Sequence, residues 1–138
     1  MEPDEKYLII PSFSPENKPL GYKSAITANA AMDIAAAVDS LNMYKNILSD
    51  IKPNGYQKTL EKITHLISCL PVYMFDKSGA IKEWSMNEYK ENNAHRHISH
   101  LYCAWPSSET QHNHALASAC RQAINNRNRE NTGKDDTA

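Results

Sequence analysis

At 138 residues, with 41% hydrophobic and 22% charged side chains, the chain has room for one globular domain of ordinary composition. A net charge of −1 with scattered Lys and Arg excludes the basic patch on which nucleic-acid binding rests. Nothing approaches a membrane span, and the acidic start from Met1 to Lys6, with no long apolar run behind it, is no signal peptide; taken as it stands, that points to the cytoplasm.

In chain order, Tyr7-Leu8-Ile9-Ile10 is a short β-prone run closed by Pro11. Pro11 and Pro15 then bar a helix and hold an extended loop that displays Glu16. From Ser24 to about Asp50, Ile26, Ala30, Asp33, Ala37, Leu41, Tyr44 and Leu48 recur at spacings of three and four, which predicts a long helix ended by Pro53 and Gly55. A second helix is predicted from Gly55 to Cys69, with Tyr56, Leu60, Ile63, Ile67 and Leu70 as its apolar stripe and Pro71 as its stop.

Asp76-Lys77-Ser78-Gly79 reads as a turn between two extended pieces, Val72–Phe75 and Ala80–Trp84. A polar loop leads to His95, from which a short helix is predicted to run to Pro106. Ser108-Glu109-Thr110-Gln111 has the form of a capping box and predicts a last helix to about Asn128, with Ala115, Ala119, Gln122 and Ala123 facing inward. The fold class expected is therefore mainly α with a short hairpin-like insertion, over residues 1–130, and a polar tail at 131–138 that frays. Cys69, Cys103 and Cys120 are odd in number and form no Cys-x-x-Cys pair. They argue against a disulfide framework and a thiolate zinc site, and suit small apolar packing roles.

Chemistry concentrates in three places. His95-Arg96-His97-Ile98-Ser99-His100-Leu101 holds three of the six histidines, groups that titrate near neutral pH. Such a run suits a sugar pocket, a metal or a structural cluster; zinc is disfavoured because no cysteine or acid stands at ligand spacing within it. Pro11-Ser12-Phe13-Ser14-Pro15-Glu16-Asn17 puts a carboxylate on a proline-stiffened loop, against which a plain solvated glutamate is the alternative. Glu83-Trp84 joins a carboxylate to a large apolar platform of the kind that holds a sugar face, or else is a core tryptophan beside an exposed acid. Asp33 also suits the helix dipole without any catalytic duty, and His112 and His114 are expected to be exposed and without function.

These residues, in this order, resemble the catalytic domain of glycoside hydrolase family 95, the inverting α-L-fucosidases and related α-L-galactosidases. The family's Pro-Ser-x-Ser-Pro-Glu-Asn matches Pro11 through Asn17, and its Met-Asp at a helix start resembles Met32-Asp33. Its Gly-x-(Leu/Ile)-x-Glu-Trp matches Gly79, Ile81, Glu83 and Trp84. Its His-Arg-His-x-Ser-His-Leu-Tyr matches His95 through Tyr102, with Pro106 in place. The likeness covers roughly residues 7 to 130.

The resemblance implies consecutive helices of an (α/α)6 barrel, or α/α toroid, acting on terminal α-linked fucose of a fucosylated or galactosylated glycan. It implies no cofactor, no metal, no nucleic acid and no membrane. It makes Glu16 the general acid and places Asn17, Glu83, Trp84, His95, Arg96, His97 and His100 against the substrate, with Glu16, Glu83, Arg96 and His97 on one concave surface. Inversion also needs a base on the opposite sugar face, with the two carboxyls about 6.5–9.5 Å apart. Family domains are several times longer, often exported, and carry that base downstream, so the chain reads as a fragment with negligible activity alone. The reading from a different class is an inactive helical remnant or interaction module.

Overall fold

The computed structural model describes residues 6–131; the tail expected at 131–138 lies, beyond Asn131, outside the described residues. The chain is mainly α, as expected, with three helices and one two-stranded sheet among the described residues. Strand β1 (Ser12–Phe13) pairs antiparallel with β2 (Ile26–Thr27), Ser12 opposite Thr27. Helix α1 follows at Ala31–Ile51, α2 at Tyr56–Cys69 and α3 at His114–Glu130.

Helix α1 begins at Ala31 rather than Ser24, and the reason is local. The Ser24 hydroxyl accepts from Ile26 N at 3.0 Å, β-branched Ile26 and Thr27 enter the sheet, and Asn29 adopts a left-handed φ of 51°. The helix starts only after Ser12 Oγ has accepted from Ala30 N at 2.8 Å. Asp33 lies in its first turn, where it suits the dipole, and its Oδ2 also accepts from Ser12 Oγ and from Phe13 N at 3.1 Å, tying β1 to α1. Lys52 ends α1 in the left-handed region, and α2 opens at Gly55 (φ 75°) and stops before Pro71, as its sequence predicts.

The predicted turn at Asp76–Gly79 closes a hairpin-like pair, with Phe75 bridged to Ile81. Asp76 Oδ1 accepts from Ser78 N, Ser78 Oγ and Ala80 N, and Gly79 supplies a φ of 80°. Trp84 bridges to Ala30, and Ala31 N donates to Glu83 O at 2.9 Å, so the insertion is fastened to the start of α1.

Two expectations give way. The histidine run does not form a helix to Pro106; only Ser99–Leu101 makes a 3-10 turn. Ser108 does not cap the last helix either. Glu109–Gln111 makes a separate 3-10 turn, and α3 starts at His114 with Asn113 Oδ1 accepting from Leu116 N at 3.0 Å. The buried stripe comprises Leu116, Ala119, Cys120, Ala123, Asn126 and Arg127, so Ala119 and Ala123 face inward as expected while Ala115 is exposed and Gln122 half-buried. The apolar part of that stripe packs with Ala35, Ala80, Ile81, Leu101 and Cys103 as the core.

Candidate active site

Glu16 stands at the tip of a tight turn. Asn17 N donates to Ser14 O at 3.0 Å, Pro15 fixes the first corner, and Glu16 takes the second corner at φ 58°. A left-handed glutamate is an unusual choice where Gly or Asn is the easy one, and such strain persists only where the surroundings over-determine it. Here the surroundings are visible. Ser14 Oγ donates to Glu83 Oε1 at 2.6 Å and Asn17 Nδ2 donates to Glu83 Oε2 at 2.6 Å, so one carboxylate grips both ends of the turn.

Glu83 is itself fully buried at 0% exposure, which would be costly for an unpaired charge. Its partner is Arg127 on α3, whose Nη2 donates to Glu83 Oε2. The other arm of the same guanidinium donates from Nη1 to Asn92 O at 2.8 Å and His95 O at 2.9 Å. Asn92 Nδ2 returns to Asn17 Oδ1 at 3.0 Å. The Glu83–Arg127 pair therefore ties the turn bearing Glu16 to the segment leading into the histidine run.

The consequence is on the surface above it. Arg96 Nη2 donates to Glu16 Oε2, and His97 Nδ1 lies 3.9 Å from the same oxygen. His97 Nδ1 is also 3.2 Å from Pro15 O, within reach for it to donate to that carbonyl. Glu16, Arg96 and His97 remain 58%, 38% and 36% exposed at their side chains. Beside them opens a largely apolar cleft of about 610 Å³, whose lining includes Met32, Tyr102, Trp105 and Ile124.

The structure thus gathers Glu16, Arg96 and His97 on one face but sorts the other expected residues inward. Glu83 and Asn17, both 0% exposed, lie in the supporting network, not on the concave surface. Trp84 is also 0% exposed and stacks edge-on to Tyr89, so it offers no face to a ligand; the large exposed indole is Trp105, at 81%. His95 is buried, with Nδ1 accepting from His97 N at 3.1 Å. His100 is buried as well, and burial together with the Arg127 charge lowers its pKa to about 3. It is neutral at pH 7, so its 4.0 Å approach to Glu83 is no ion pair. His112 and His114 are exposed, as expected.

Arg127 and Glu91 do not stand out in the sequence. Arg127 carries one signal: it continues the three-and-four spacing of the buried α3 stripe, where a cation needs a partner. Glu91 Oε2 accepts from Glu83 N at 2.7 Å, while burial first, and the Glu83 charge after it, raise its pKa to about 7. Among the described residues, no cluster of three or more His, Cys, Asp or Glu side chains could hold a metal, and no helix is long and apolar enough to cross a membrane.

Comparison with known proteins fits this geometry. The chain is 27% identical over 130 residues to Alpha-L-fucosidase 2 of Arabidopsis thaliana, a match covering 89% of this chain and 15% of that protein. The glycosyl hydrolase family 95 catalytic domain matches residues 1–137. With nearly its whole length inside that match, and its helices forming part of the α/α toroid, the chain belongs to glycosyl hydrolase family 95.

Proposed function

We propose that this chain is the acid-bearing part of a glycoside hydrolase that cleaves terminal α-linked fucose from glycans. The observation that supports it is the exposed Glu16, strained and clamped at the tip of its turn, facing Arg96 and His97 beside an open cleft. Once Arg96 has turned away from it, Glu16 takes up a proton from solvent and delivers it to the departing glycosidic oxygen. Arg96 releases the carboxylate to bond sugar hydroxyls, and His97 offers them the edge of its ring. Asn17, Glu83 and His95 act from beneath, by holding the turn and the histidine segment in place, while His100 is packed in the interior. Trp105 takes the platform role first expected of Trp84, presenting a ring to the apolar face of a sugar in the cleft.

The opposite-face base is assigned to no residue here. Glu83 is excluded by its full burial and by the Ser14, Asn17 and Arg127 donors on its oxygens. Hydrolysis of an aryl α-L-fucoside by the chain, beside Glu16→Gln, is the test. Turnover near background is expected, because lacking a base removes about 10²–10⁴-fold. Rapid turnover that survives Glu16→Gln would overturn the acid assignment. Rapid turnover that depends on Glu16 would place the base within this chain.

A second reading, an interaction module without turnover, is favoured by one feature. Met43, Tyr44, Ile47 and Ile51 form an exposed apolar stripe on α1, with 59%, 48%, 46% and 70% exposure. Association through that stripe, lost in Ile47→Glu, is what sedimentation would show if it operates.

A further inference from the structure

Cys103 and Cys120 are far enough apart in sequence to escape any cysteine motif, yet the structure brings their Sγ atoms to 3.6 Å. Both are buried, at 0% and 4% exposure, among Leu101, Leu116 and Ala119 of the core. We propose that this dithiol is a site of oxidative modification, closing to a disulfide when the chain meets a peroxide. The bond would join the segment just after His100 to α3, seven residues before Arg127, and so fasten the two halves of the network under Glu16.

A disulfide needs the sulfurs about 2.05 Å apart, so they must close by about 1.5 Å from their present contact. The pair is also chemically unequal. Its mutual hydrogen bond favours ionisation at Cys120, against burial and the Glu109 charge, and disfavours it at Cys103, where burial adds to the effect. Either thiol can donate in the pair, and attack by either gives the same disulfide; with Cys120 leading, its thiolate is the nucleophile. Its sulfur takes one oxygen of hydrogen peroxide as the O–O bond breaks, giving a sulfenic acid and hydroxide, which leaves as water. Cys103 then attacks that sulfur, the S–S bond forms and a second water departs. Two thiols lose two electrons and two protons, and the peroxide gains them. Cys69 lies elsewhere, at the end of α2 with Sγ 3.7 Å from His65 Nε2, and serves as an internal control.

The test treats the native chain with hydrogen peroxide, alkylates it under denaturing conditions and maps the peptides. Expected are a mass lower by about 2 Da from the paired thiols, a Cys103–Cys120 cross-linked peptide, an alkylatable Cys69, and a Tm raised by several degrees. In Cys103→Ser, a dimedone-trappable sulfenic acid at Cys120 is expected; should that variant not fold, the wild-type map decides alone. Pairing that includes Cys69, sulfinic acid at Cys120, or three alkylatable thiols after treatment would overturn the proposal. So would the same pairing preference in urea, because selection of this pair must come from the fold.

Discussion

Asn17 Nδ2 donates to Glu83 Oε2 at 2.6 Å, across sixty-six positions of sequence. That bond, with its counterpart from Ser14 and the Arg127 pair, occupies both oxygens of the buried Glu83 carboxylate. A buried carboxylate saturated by donors is a rigid anchor. The exposed side chains of Glu16, Arg96 and His97 stand on the turn and segment that it holds.

Removing the charge of Glu83 is therefore predicted to be severe. Glu83→Gln leaves Arg127 buried without a carboxylate, and a cost of about 3–5 kcal/mol is expected in urea denaturation. The double variant Glu83→Gln/Arg127→Met should cost less than the sum of the single changes, by about 0.5–3 kcal/mol. Strict additivity would show that the two residues do not act as a pair.

The Arg96–Glu16 pair is predicted to behave in the opposite way. Both side chains are substantially exposed, so Arg96→Ala should change stability by only about 0–1 kcal/mol. Thermal melts that place its cost alongside that of Glu83→Gln would contradict the division between anchor and working face.

Much of this is legible in the amino-acid sequence. The stripe of Ile63 and its neighbours marks α2, Pro71 marks its end, and Asp76–Gly79 marks the turn. The Ser-Pro-Glu-Asn cassette and the histidine run do lead to one place, because a tight turn and a buried ion pair bring them there. The rest depends on tertiary contacts. Periodicity cannot tell that Ile26 and Thr27 leave the helix for a strand pairing with Ser12 and Phe13. Composition cannot tell which tryptophan is buried, since Trp84 and Trp105 differ only in what packs over them. The apolar pattern cannot name the buried partner of Glu83, which comes from a helix more than forty residues away.

Glu91 predicts a distinct pH dependence. Its pKa is raised from 4.5 to about 7 in the folded chain, so the folded state holds the proton more tightly. Its contribution to stability is fully present below 4.5 and is lost as pH rises through 7. His100, lowered from 6.5 to about 3, acts in reverse and adds stability as pH rises across that range. Because the two oppose, the informative quantity is the difference between Glu91→Gln and wild type. The variant should gain on wild type by up to about 3 kcal/mol between acid and pH 8, in urea denaturation at each pH. A difference independent of pH would contradict the assignment.

The two tryptophans predict a spectroscopic signature. Trp84 is 0% exposed and Trp105 is 81% exposed. In Trp105→Phe, the remaining emission should be blue-shifted and resistant to iodide quenching, whereas wild type should be readily quenched. Strong quenching in the variant would place Trp84 at the surface after all.

Glu16, Arg96 and His97 are proposed to form one sugar-facing surface beside the Trp105 cleft. A ¹⁵N–¹H NMR titration of the chain with methyl α-L-fucoside tests it most directly, since binding needs no turnover. Shifts are expected at the amides of Glu16, Asn17, Arg96 and His97 and at the Trp105 indole N–H, weakened by Arg96→Ala. Shifts confined to another face, or none up to saturating sugar, would contradict the proposal.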